Sequence, residues 1–314
     1  MTGFELYRIF RKHTWLLITV LLMIALSKAV CLYVQSRETY SPYLSEQAHE
    51  YFNLLLDDSK DMTLDERLAF INEKTQSADT PYKLEAVGRY SSLLRGCYRS
   101  KGITDYARSG RGLTDQLVPD DLLTEREAYA SLETPTVIDT DAFIKLMRLL
   151  AYDISPVWIM LFVGSLNADG YEKGIDRQIS ISKNRRRFHI TNFTSQLVII
   201  LTLYTLSFAA DMMISGSFQS GYMTAPFAST GHLIHMNATV AQVVFMLFLR
   251  GLICCVICFG VFIIAAAMVR SVRRYIVVSA GVIFSMTAAA VYITRYSVFF
   301  FAALCDKEKM LMFL

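Results

Sequence analysis

The chain has 314 residues, of which 54% are hydrophobic and 19% charged, and its mean hydropathy is +0.36. That balance excludes a water-soluble enzyme as the first reading, because soluble domains carry more charge and less apolar content. The net charge of +3 conceals a division: residues 35–143 hold 12 Lys and Arg against 20 Asp and Glu, a net −8, and the remainder carries +11.

In chain order, residues 1–13 are expected to form an interfacial helix. Phe4, Tyr7 and Phe10 recur at three-residue spacing, and Arg8, Arg11 and Lys12 are placed to meet lipid headgroups. Crossing a hydrocarbon core about 30 Å thick takes roughly 20 apolar helical residues, and five runs reach that length. The first, Thr14–Val34, leads through Lys28-Ala-Val-Cys31 into a charged segment without a cleavage pattern, so it reads as a retained anchor. Phe143–Leu166, Phe193–Ile214, Thr239–Val269 and Tyr275–Thr294 follow. Pro156 is expected to kink the second span. The fourth run, at about 1.5 Å per residue, exceeds one upright crossing. Gly251–Val269 is therefore expected to cross, with Thr239–Leu249 an outer connecting or re-entrant helix and Arg250 at the boundary. The alternative is one steeply tilted helix. Beyond Arg295, the apolar run Val298–Leu304 is too short to cross alone, which leaves five crossings, or six if a further span exists.

Between spans one and two, residues 35–142 read as a helical domain. Leu44–Leu56, Leu64–Thr75 and Tyr82–Tyr98 carry apolar residues at helical spacing. Thr63-Leu-Asp-Glu66 and Thr124-Glu-Arg-Glu127 fit capping boxes, and Thr80-Pro81, Gly110–Gly112 and Thr134-Pro135 punctuate the block. Its negative charge suits a solvated outward domain. Asp139 and Asp141 stand beside a predicted helix start, where acids are favoured as capping groups over metal ligands.

Orientation follows from the basic residues, which are held on the cytoplasmic side. They precede span one, fill 167–192 between spans two and three (Lys173, Arg177, Lys183, Arg185, Arg186, Arg187), and recur between spans four and five (Arg270, Arg273, Arg274). Residues 215–238 contain none. The expected fold is an all-α integral membrane protein of the plasma (cytoplasmic) membrane. It has five to six transmembrane helices, a cytoplasmic N-terminus and a helical extracellular domain inserted between spans one and two.

Charges inside spans are costly and mark function by default. Lys28 and Asp153 fall at similar depth, so an intramembrane ion pair between them is expected, against each snorkelling alone. Cysteines occupy positions 31, 97, 254, 255, 258 and 305 and build no disulfide framework. Cys254-Cys-Val-Ile-Cys258 reads as apolar packing rather than a thiolate metal site. His232 and His235 lack a third ligand for zinc. No phosphate loop, His-Glu-x-x-His or Gly-x-Ser-x-Gly motif occurs, so neither ATP binding by the usual route nor a hydrolytic centre is visible, and no nucleic-acid partner is expected.

The segment Asn167-Ala-Asp-Gly-Tyr-Glu172-Lys-Gly174-Ile175, followed by Arg185-Arg-Arg187 ahead of an apolar helix, resembles the motif after the second span of ABC type-2 export permeases. Ser155-Pro156 in span two and Ala225-Pro226 in the outer loop fit the same layout. Ile175 stands where that family usually has Thr, and Thr191-Asn192 where Gly-Lys is usual. The resemblance implies a permease subunit that is not itself an enzyme. Tyr171, Glu172, Gly174 and Ile175 would belong to a coupling helix gripped by a separate ATP-binding-cassette ATPase, which carries the ATP and Mg. A second permease subunit, the same chain or a paralogue, would complete the bundle. The cargo expected on this view is a peptide, lipid or small amphipathic molecule. Membrane lipids are expected at Arg8, Arg11, Lys12 and Arg185–Arg187. The alternative function is a sensor or immunity protein that binds an extracellular peptide without transport.

Overall fold

The computed structural model describes residues 2–36, 44–109, 136–151, 153, 155–175, 181, 185–218, 221–230 and 238–281. Among them every regular element is helical, and four helices are long and apolar enough to cross a membrane: His13–Val30, Asp141–Glu172, Arg186–Ile214 and Val240–Val269. The predicted fifth span is helical over 272–281 and otherwise lies outside the described residues. So do Thr124–Glu127, Gly110–Gly112, Thr134-Pro135, His232, His235 and the segment after Arg295.

The chain divides into two compact units. The first comprises Met1–Glu38, Leu146–Ser215 and Leu247–Met310. Its helix α1, Thr2–Ser36, is interrupted at His13 (φ −115°, ψ 24°), which separates the basic N-terminal segment from the apolar span. The core gathers Val20 and Ile24 from α1, Ile159, Phe162 and Val163, then Ile200, Leu203 and Tyr204, then Cys255, Phe259 and Phe262, with Tyr275. Trp15, Leu22, Leu206, Ile264, Met268 and Val277 point outward and are exposed. A helix with apolar residues on every side is what an apolar solvent permits.

Two expectations for the spans are corrected. Within the candidate span Asp141–Glu172 the described helices are Asp141–Ala151 and Ser155–Glu172, with Asp153 non-helical between them, so the bend expected at Pro156 is a break just ahead of it. The cause is capping. Asp153 Oδ1 accepts the backbone N–H of Ser155 at 2.9 Å and the Ser155 hydroxyl, which starts a new helix and puts Pro156 in its first turn, where a missing N–H costs nothing. Conversely, Thr239–Leu249 and Gly251–Val269 are not separate: Val240–Val269 is one helix running through Arg250. Arg is a good helix former, and Gly251 is required there by packing. A Cβ at that position would lie 1.8 Å from the Tyr204 hydroxyl oxygen.

The second unit comprises Thr39–Lys145, Gly216–Met246 and Leu311–Leu314. Helices α2 (Glu46–Asp58), α3 (Leu64–Ser77) and α4 (Pro81–Ser109) bury Phe52, Leu55, Ile71, Val87, Tyr90, Leu94 and Cys97 against one another. The capping box at Thr63 is formed: Thr63 N donates to Glu66 Oε2 at 2.7 Å and Glu66 N to Thr63 Oγ1 at 3.4 Å. Pro81 opens α4. Helix α5 (Asp141–Ala151) begins in this unit, while α6 (Ser155–Glu172) and α7 (Arg185–Ile214) belong to the first. Two short 3-10 turns, Gly221–Thr224 and Phe227–Thr230, lead to α8 (Val240–Val269), and α9 covers 272–281. An antiparallel bridge pairs Pro226 with Thr239, and Phe143 packs edge-on to Phe227 at 5.8 Å.

Candidate functional site

The segment expected to couple to a partner is not a separate surface helix. Nothing between Leu166 and Glu172 breaks the backbone, so Asn167 through Glu172 are the final turns of α6. The helix is closed by a turn through Gly174, whose φ of 68° favours a residue without a Cβ. Lys173 N donates to Asp169 O and Gly174 N to Tyr171 O, each at 3.1 Å. Tyr171 packs against the first unit's core, and Ile175 is half-buried just past the turn.

Glu172 is exposed, yet its Oε2 accepts the backbone N–H of Val272 at 3.0 Å. It therefore satisfies one of the donors left open at the start of α9. Asp169 pairs with Lys173. It also lies 3.8 Å from His13 Nε2, at the interruption of α1, an ion pair when the imidazole is protonated. Asn167 and Gln196 exchange reciprocal amide hydrogen bonds, both 2.9 Å, between α6 and α7. One short stretch is thus tied to α1, α7 and α9. Arg11, Arg186 and Arg187 are exposed, whereas the side chains of Arg8, Lys12 and Arg185 lie outside the described residues.

Deeper in the same unit, Lys28 Nζ lies 3.7 Å from Asp153 Oδ1, and closer still, 2.5 Å, to Asp211 Oδ1. The structure brings together the two residues paired in the sequence reading and adds a third that was passed over. The three side chains are 8%, 9% and 0% exposed. A signal for Asp211 was present: it is a lone acid within the apolar run Phe193–Ile214. Ser207 Oγ donates to Ser155 Oγ at 2.8 Å, which extends the polar group from α7 to α6.

In the second unit, Asp139 Oδ1 accepts Asp141 N at 2.9 Å, the capping role expected of these acids. Asp141 accepts from Leu44 N at 3.2 Å and from the Arg89 guanidinium at 3.0 Å. His49, not singled out from sequence, lies 3.5 Å from Asp139 and 3.8 Å from Asp141. His49, Asp139 and Asp141 could each turn one ligand atom toward a common ion. Arg89 already supplies Asp141 with a positive partner, so the group reads as an ion network. Burial, with Asp141 adding to it, pushes the Asp139 carboxyl above the usual carboxylate range.

No family model, curated protein or solved structure matches this chain.

Proposed function

We propose that the chain is the membrane-spanning subunit of an ATP-driven type-2 exporter, carrying out conformational work for a separate nucleotide-hydrolysing subunit. The observation that carries this reading is the end of α6. A rigid helix ends in a glycine turn beside the motif Glu172-Lys-Gly174, and the same few residues hold the interruption of α1 at His13 and the start of α9 at Val272. A partner gripping Tyr171, Glu172, Gly174 and Ile175 moves three helices through one handle. The alternation of basic and neutral loops supports a cytoplasmic position for that handle, where ATP is available. On this reading the bundle is completed by a second permease chain, and the basic residues at Arg11, Arg186 and Arg187 rest on anionic headgroups.

The test is affinity capture of the full chain from its native membrane. A nucleotide-binding subunit is expected to co-purify, and Glu172→Arg is expected to release it. Glu172→Gln separates the two roles of this residue, because it keeps the acceptor for Val272 N while removing the charge. Capture with no such subunit, together with unchanged activity of Glu172→Arg, removes the exporter reading and favours a peptide-binding sensor.

A further inference from the structure

The cluster at Lys28 has an unbalanced charge. One ammonium faces two carboxylates, all three nine-tenths or more buried, within helices apolar enough to span a membrane. Among the described residues, Lys28 is the one cation paired with either acid. Uncompensated charge in such surroundings is strongly disfavoured.

The two carboxylates are not equivalent. Asp153 Oδ1 accepts from Ser155 N and the Ser155 hydroxyl, and lies 3.7 Å from Lys28 Nζ. Asp211 Oδ1 takes the Lys28 ammonium. Asp211 Oδ2, by contrast, is buried with no hydrogen-bond partner among the described residues. The Lys28 ammonium bonds one oxygen of this carboxylate and leaves the other without a donor among the described residues. Asp211 is flanked by Lys28 from α1 and by Asp153 at the break before α6; Asp153 in turn holds the Ser155 hydroxyl, which accepts from Ser207 of α7. Cys255 from α8 is within electrostatic reach of Asp153. Apart from Lys28 and the Cys255 thiol these are oxygen donors, the set that small hard cations prefer.

We propose that Asp211, with Asp153 and the Ser155 and Ser207 hydroxyls, forms an intramembrane binding site for one monovalent cation, a proton or a sodium ion, received at Asp211 Oδ2. Binding brings the cluster to neutrality without displacing Lys28. The proposal goes beyond the exporter reading and needs no partner subunit, so its test can fail while that reading stands, and the reverse.

The experiment follows thermal unfolding of the full chain in detergent micelles. In one series sodium chloride replaces choline chloride at constant ionic strength and fixed pH. In the other, pH is varied in choline chloride alone. Wild type is compared with Asp211→Asn, which keeps the side-chain shape and cancels the excess charge. For a sodium site, wild type gains on the variant as sodium rises, by about tenfold in the folded-to-unfolded ratio for each tenfold in sodium above its Kd. For a proton site, wild type gains on the variant as pH falls and sodium has no effect. Asp153→Asn also cancels the excess charge and serves where Asp211→Asn does not fold. A wild-type-to-variant difference that stays constant across both series overturns the proposal.

Discussion

Cys97 illustrates how far burial alone sets reactivity. Its thiol sits in the α2–α4 core, 1% exposed, and desolvation pushes its pKa up to about 11. Since the thiolate is the nucleophile, Cys97 is expected to resist maleimide at neutral pH in the folded protein and to react once denaturant opens the second unit. Mass spectrometry of the tryptic peptide checks this. Asp139 gives a pH dependence of definite sign. Its carboxyl is raised mainly by burial, so the folded state holds that proton more tightly than the unfolded chain does. The associated stability is present in acid and lost as pH rises through the folded value. Asp139→Asn keeps an oxygen for the Asp141 N–H and is expected to gain on wild type as pH climbs from the carboxylate range to neutrality. Denaturant midpoints measured at a series of pH values read the difference.

At the scale of elements, two glycines fix how closely helices approach. A Cβ at Gly164 would lie 1.7 Å from the Tyr275 hydroxyl oxygen, a clash that no rotamer shift of a fully buried ring absorbs cheaply. Gly164→Ala is expected to cost about 1–3 kcal/mol, the range for overpacking a filled core, and to abolish the 3.1 Å hydrogen bond from Tyr275 to Met160 O. Thermal unfolding in detergent measures it, with Gly170→Ala as control, since a Cβ there meets no atom within 4 Å. The elements themselves were legible where local chemistry decides them. Thr63 and Glu66 announced the start of α3, and the length of the apolar runs announced the four helices long and apolar enough to cross a membrane. Breaks were less legible. Proline suggested a kink in span two, but the carboxylate of Asp153 ended the matter by capping a fresh helix. A charge at Arg250 suggested an interruption, but the backbone has no reason to stop at a residue with high helix propensity. The buried cluster was half legible: Lys28 and Asp153 could be matched by depth, while the approach of Asp211 depends on how α7 rotates against α1, which periodicity alone does not give.

For the whole molecule, the decisive contrast is between interior and exterior of the first unit. Large apolar side chains face outward along its helices, while Lys28, Asp153, Asp211, Ser207 and Gln196 face inward. That is the polarity expected when the solvent is lipid and the backbone must satisfy itself within each helix. The chain has two tryptophans, and they report on this directly. Trp15 is 83% exposed, whereas Trp158 is packed against the core. In vesicles of brominated lipid, Trp15 fluorescence is expected to be quenched several-fold more than that of Trp158, measured in the Trp15→Phe and Trp158→Phe variants. Equal quenching removes the lipid-facing assignment.

The junction at Asp153 has a mechanical corollary. A single carboxylate both anchors the first turn of α6 and neighbours a buried ammonium, so electrical state and backbone geometry cease to be independent variables at that point. Whatever alters the local electrostatic balance also loosens or tightens the hinge on which α6 is mounted. Amide exchange at Ser155 is the gauge on which such a swivel would be read.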